Sequence, residues 1–133
     1  MKDFRYLSEK EFLEAISGMA NVVEDYKKIQ KEVETSTAIP GNRTQVLKYI
    51  ETLYSYFFDV YDKGWQSVFD MDDPEEQSIL IKKYFLNLTN EEIMEELKLK
   101  KQTYYLRLKS ALEHFKKPDD LPAPPKTPKR PTN

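Results

Sequence analysis

An all-α fold is what this sequence predicts, and three observations carry that reading. Charged residues fill 33% of its 133 positions and only 3 are glycine, a helix-forming composition. Helix-start signals, with Ser, Asp or Thr followed three residues later by Glu, stand at Ser8–Glu11, Asp73–Glu76 and Thr89–Glu92. Behind each of them apolar residues return at three- and four-residue steps. The expected organisation is an N-terminal helical hairpin over 1–64, a helix-turn-helix domain over 65–117 and a disordered, basic, Pro-rich tail over 118–133.

The first helix starts at the Ser8 cap. Phe12, Ile16, Met19, Val23, Tyr26 and Val33 form its apolar stripe, with Ile29 beside it and Lys27, Lys28, Lys31 and Glu32 opposite. The run is about seven turns long. Residues 35–42, which include Pro40 and Gly41, close it as a loop. A second helix is expected from near Thr44 to Gly64, taken as its stop. Val46, Leu47, Tyr49, Ile50, Leu53, Tyr54, Tyr56, Phe57, Phe58, Val60 and Tyr61 spread over more than one stripe of it. A lone hairpin cannot cover that much apolar surface. The cover is either the C-terminal domain or a second copy of the chain, and a homodimer is expected, with Val60 at the interface. Trp65 to Met71 reads as a short helix of its own. Asp73 and Pro74 then open another, with Ile79, Leu80, Tyr84 and Phe85 facing the core. From Pro118 onwards six of the 8 prolines fall among Lys126, Lys129 and Arg130, a composition expected to stay extended or disordered.

Chemistry concentrates between Leu88 and Phe115. A capped acidic helix begins at Asn90, with Ile93, Met94 and Leu97 inward. Lys98-Leu99-Lys100 makes a tight turn pinned by Leu99, and a basic helix runs from about Lys101 to Lys116. Tyr104, Leu108, Ala111, Leu112 and Phe115 are its inner face. This is the layout of a DNA-reading helix-turn-helix. On the outer face Lys101, Gln102 and Tyr105 occupy the first two turns, the part that reaches base edges. Gln102 suits adenine N6/N7, Lys101 suits guanine O6/N7, and Leu106 can pack on a thymine methyl. Lys100, Thr103, Arg107 and Lys109 are assigned to phosphates, which fix register without reading sequence. A plain hairpin with a wet lysine face competes with this reading, but Tyr105 and Leu106 are poor choices for such a face.

The charge distribution agrees. Residues 1–97 hold 11 Lys+Arg against 20 Asp+Glu, a balance of −9, and residues 98–133 hold 10 against 3, a balance of +7. A basic end attracts phosphates wherever the remaining charge lies.

Glu92-Ile93, Leu97, Leu99, Thr103-Tyr104-Tyr105, Arg107-Leu108-Lys109 and Ala111-Leu112 together resemble the promoter-reading helix-turn-helix of the fourth conserved region of bacterial sigma factors. The paired tyrosines, the Phe115 ending and the preceding Glu75–Leu80 and Tyr84-Phe85 make the chain more similar to the ArpU-like phage transcriptional regulators. The resemblance covers roughly 65–116 and implies a sigma-like, DNA-binding regulator of phage or prophage late genes, with RNA polymerase as a possible partner. Carried over residue by residue, the base-contacting positions fall on Lys101, Gln102, Tyr105 and Leu106. Two positions depart from the sigma pattern. Lys98 stands where glycine is usual and so needs a left-handed backbone or a different turn. Lys100 stands where a capping serine is usual.

Other functions find less support. His114 is the only histidine and there is no cysteine, so a catalytic triad, a thiolate zinc site and a disulfide framework are all lacking. The cluster of Asp70, Asp72, Asp73, Glu75 and Glu76 is read as helix capping rather than as a divalent-ion site. No glycine-rich phosphate loop occurs. No apolar run has the length of a signal peptide or a membrane span. The chain is therefore expected to be a cytoplasmic DNA-binding protein, not an enzyme, with no cofactor, metal or small-molecule substrate. The alternatives are a DNA-recognition subunit of a phage packaging machine, distinguished by ring assembly, and an interaction module acting on RNA polymerase.

Overall fold

A computed structural model describes residues 3–35 and 43–126. Helices are the only regular elements among them, in line with the all-α expectation. A single 3-10 turn at Phe4–Tyr6 precedes α1 (Glu9–Thr35) and α2 (Arg43–Phe69). After these come α3 (Pro74–Leu80), a π-helical turn (Ile81–Phe85), α4 (Asn90–Leu97) and α5 (Lys101–His114).

Two helix starts form as the residues dictate. Glu11 N–H donates to Ser8 Oγ (3.2 Å) while Ser8 N–H donates to Glu11 Oε1 (3.0 Å), the reciprocal pattern of a capping box. Thr89 and Glu92 repeat it at 3.2 Å in both directions. At the third start Asp73 caps α3 by accepting from Glu75 N–H (2.9 Å) and Glu76 N–H (3.2 Å), yet Glu76 does not reach back to complete a box.

The long helices α1 and α2 pack as an antiparallel hairpin, each about 40 Å long. Phe12, Ile16, Met19 and Val33 are buried on α1 as the stripe predicts, while Ile29 is 43% exposed. Here the structure corrects the second helix. Gly64 does not stop it, and the expected short helix from Trp65 is simply its continuation to Phe69. Gly64 lies where the two helices meet: a Cβ there would sit 3.1 Å from Ile16 Cδ1 and 3.5 Å from Phe12 Cε1. The glycine permits close approach of α1 and α2, so its role is packing rather than termination.

The expected division at 64/65 therefore falls inside a helix, and one core spans both sides of it. Phe12 of α1 stacks on Phe115 beyond α5 (6.2 Å between centroids, 16° between planes). The same cluster takes in Phe4, Tyr56, Val60 and Val68 together with Ile79, Leu80, Tyr84, Ile93 and Tyr104. Val60, expected at an interface between copies, is fully buried within the chain (0% exposed). The surplus apolar surface of α2 is thus partly covered by the C-terminal helices, the first of the two covers considered. A ladder of half-covered aromatics remains outside: Tyr54 stacks on Phe58, and Trp65 on Phe69. Phe58 and Phe69 are 56% and 60% exposed.

The segment after α5 departs from expectation too. Residues 118–126 form no helix, as their prolines require, but they are tied down. Leu121 is buried (7% exposed) in the common core. Lys63 Nζ donates to Asp120 Oδ2 (2.7 Å) and to the Asp120 carbonyl (3.0 Å). Lys117 reaches the carbonyls of Arg5 and Leu7 (2.7 Å each), and its N–H donates to Glu9 Oε2. A disordered tail starting at 118 is corrected accordingly: one buried leucine anchors the first part of it. Of the expected loop over 35–42, Thr35 is still the last residue of α1, and residues 36–42 lie outside the described residues, as does the basic end over 127–133.

Candidate nucleic-acid interface

Lys98 and Lys100 shape the turn between α4 and α5. Lys98 adopts the left-handed conformation (φ 54°, ψ 43°), one that glycine would take without strain, at a local cost of about 1–2 kcal/mol. Lys98 N–H bonds the Glu95 carbonyl (3.3 Å), and Leu99 N–H bonds that of Met94 (2.9 Å), which satisfies the end of α4. Leu99 packs against the core as the pin of the turn. Lys100 precedes α5 in an extended conformation with no side-chain cap.

The inner face of α5 is as the apolar spacing predicts: Tyr104 and Ala111 are 0% exposed, and Leu108 and Phe115 are buried with them. Tyr104 OH donates to Asn90 Oδ1 (2.7 Å), which also accepts from Lys83 Nζ (2.9 Å). Asn90 Nδ2 in turn donates to Tyr105 OH at 3.4 Å. Burial pushes the Tyr104 phenol up to about 12, so it remains a neutral donor throughout the physiological range. Asn90 thereby joins the start of α4 to both tyrosines of α5, a link that spacing alone did not reveal.

The outer face of α5 is open. Lys101, Gln102, Thr103, Tyr105, Leu106 and Lys109 are all exposed, as is Lys100 before them. Leu106 is 69% exposed and Tyr105 42%. Among the described residues no carboxylate pairs with Lys100, Lys101 or Lys109. The side chains assigned to base reading are thus all exposed along α5, with Tyr105 also bordering a cleft toward α1.

Arg107, also assigned to phosphate, is the exception because carboxylates already engage it. Its Nε donates to Glu75 Oε1 at 2.5 Å, and its Nη1 lies 3.6 Å from Asp73 Oδ2. Its charge is spent on the first turn of α3 and on that helix's cap. Two more residues on the same flank of α5 follow suit. Ser110 Oγ donates to Glu76 Oε1 (2.5 Å), and His114 Nδ1 lies 2.8 Å from Glu76 Oε2 and 3.0 Å from Oε1. Glu76 is only 2% exposed, so its charge needs these partners. The sequence places Glu76 among capping residues and gives no sign of its pairing with His114. The missed signal was the polar trio at 107, 110 and 114, spaced one turn apart along a single flank.

The His114–Glu76 pair staples α5 to α3, and a pH dependence follows. Hydrogen bonding and charge from Glu76 raise His114 above its ordinary value, with smaller contributions from Glu113 and Asp73. A raised folded value means the staple's contribution is fully present below about pH 6.5, the ordinary histidine value. It fades as pH climbs through the folded value. Thermal midpoints measured across that window should fall with rising pH, and His114→Gln should flatten the fall. An equal slope in both proteins would remove the staple.

No family model matches the chain, and neither a curated protein nor a solved structure does.

Proposed function

We propose that this protein is a sequence-specific regulator of phage or prophage transcription that binds double-stranded DNA with α5 in the major groove. The observation that supports this most directly is the open outer face of α5, where Lys101, Gln102, Tyr105 and Leu106 stand together on a helix held rigidly from behind. A helix about 10–12 Å across fits the major groove. Leu106 and Tyr105 on that face have no role in the protein's own core, whereas apolar and hydrogen-bonding contacts to base edges would use both. A homodimer belongs to this reading, because paired readers suit palindromic or repeated sites.

Fluorescence anisotropy with matched and scrambled duplexes tests the assignment. Lys101→Ala or Gln102→Ala should cost about 1–3 kcal/mol on the matched site. Lys109→Ala should weaken both duplexes alike and lower the salt slope by about one. Equal losses on both duplexes for Lys101→Ala and Gln102→Ala would remove base reading from this face.

A further inference from the structure

The two flanks of α5 differ in charge, and that difference bears on how DNA would lie across the helix. On the flank facing α3, Arg107 and His114 are engaged by Asp73, Glu75 and Glu76. A phosphate strand on that side would meet carboxylates whose cations are already taken. The other flank borders a cleft of about 510 Å³ between α1, the π-helical turn and α5. Tyr105, Leu108 and Leu112 form its α5 wall, and Lys10 and Lys83 stand on the opposite side.

Neither lysine is in an ion pair among the described residues. The contrast with Lys82 is informative. The π-helical turn sends neighbouring lysines different ways: Lys82 is neutralised by Glu96 of α4 at 2.5 Å. Lys83 instead meets no carboxylate among the described residues: it donates to the neutral Asn90 Oδ1 at 2.9 Å and lies over the Tyr84 ring. Asn90 also holds Tyr105, so Lys83 is fixed at the edge of the open α5 face. One carboxylate, Glu14, lines the cleft, and no ion pair joins it to either lysine.

We infer that this cleft receives a DNA phosphodiester strand, with Lys10 and Lys83 as its phosphate contacts. The strand bordering the occupied major groove then runs on the α1 side of α5, away from the α3 carboxylates. The inference rests on the DNA-binding reading and adds to it an orientation and two residues outside the helix-turn-helix. Lys83 does two jobs in it, contacting phosphate and steadying Tyr105 through Asn90.

Salt titrations of the full chain on a short duplex of mixed sequence test the strand path. Each protonated amine that meets a phosphate contributes close to one to the slope of log affinity against log salt. Lys10→Gln and Lys83→Gln should each lower that slope by about one and weaken binding about fivefold at physiological salt. Lys28→Gln, on the polar side of α1, should change neither. Lys83→Arg should keep the slope, which separates loss of charge from a disturbed Asn90. An unchanged slope in either glutamine variant, with Lys109→Gln still lowering it, overturns this path and leaves the DNA reading intact. If the wild-type chain binds no duplex at low salt, the DNA reading itself falls and takes the path with it.

Discussion

Val60→Asp is expected to unfold the protein rather than to separate two copies of it. Val60 is 0% exposed and belongs to the core shared by α1, α2 and the C-terminal helices. An aspartate there would bury a carboxylate with no cation to meet it, a change that ranks among the most destabilising single substitutions, at about 4 kcal/mol or more. Urea titration followed by far-UV circular dichroism should find the midpoint lowered drastically or the helical signal already lost. A variant with wild-type stability and half the mass would instead put Val60 between chains. Pairing is properly tested at Phe58, which is 56% exposed and whose change to glutamate leaves the core alone.

Phe12→Ala should have the next largest effect. Phe12 is fully buried and meets Phe4 edge to face at 6.4 Å and Phe115 in a stack at 6.2 Å. Truncation removes the transfer free energy of the ring and leaves a cavity that two long helices cannot readily close. The cost is about 3–5 kcal/mol, against a total stability of roughly 5–15 kcal/mol for a domain of this kind. The urea midpoint should fall with little change in the dependence on denaturant. Because Phe115 lies just beyond α5, the loss should also loosen the end of that helix. A change below about 1 kcal/mol would mean that α1 and α5 do not share a core.

These two residues also mark what the sequence could and could not disclose. Phe12 was legible because a buried helix face repeats at a fixed period, and Ser8 and Glu11 mark where the repeat begins. The outer face of α5 was legible for the same reason, since once Tyr104, Leu108 and Ala111 point inward the opposite residues must point out. Val60 was not, because α2 is apolar on several sides and periodicity cannot say which side meets its own chain. Gly64 misled in a related way. A glycine near the end of an apolar run marks either a stop or a close crossing, and the difference depends on Ile16, 48 positions earlier.

The long-range polar pairs were the least visible. Arg107 with Glu75 and His114 with Glu76 join residues more than thirty positions apart, so only the packing of α3 on α5 brings them together. The π-helical turn at Ile81–Phe85 carried no compositional signal either. It carries both Lys82, which pairs with Glu96, and Lys83, which bonds the neutral Asn90 oxygen. Leu121 was hidden by the prolines around it, which foretell extended backbone but say nothing of where an extended segment docks.

The most direct test is selection of bound duplexes from a random pool, run in parallel with the wild-type chain and with Gln102→Ala. A base-reading α5 should enrich a short motif, with its symmetry reporting any pairing of readers, and Gln102→Ala should relax the preference at one position within it. No enrichment over the starting pool, or an identical motif from a protein whose Lys101, Gln102 and Tyr105 are all alanine, would contradict it.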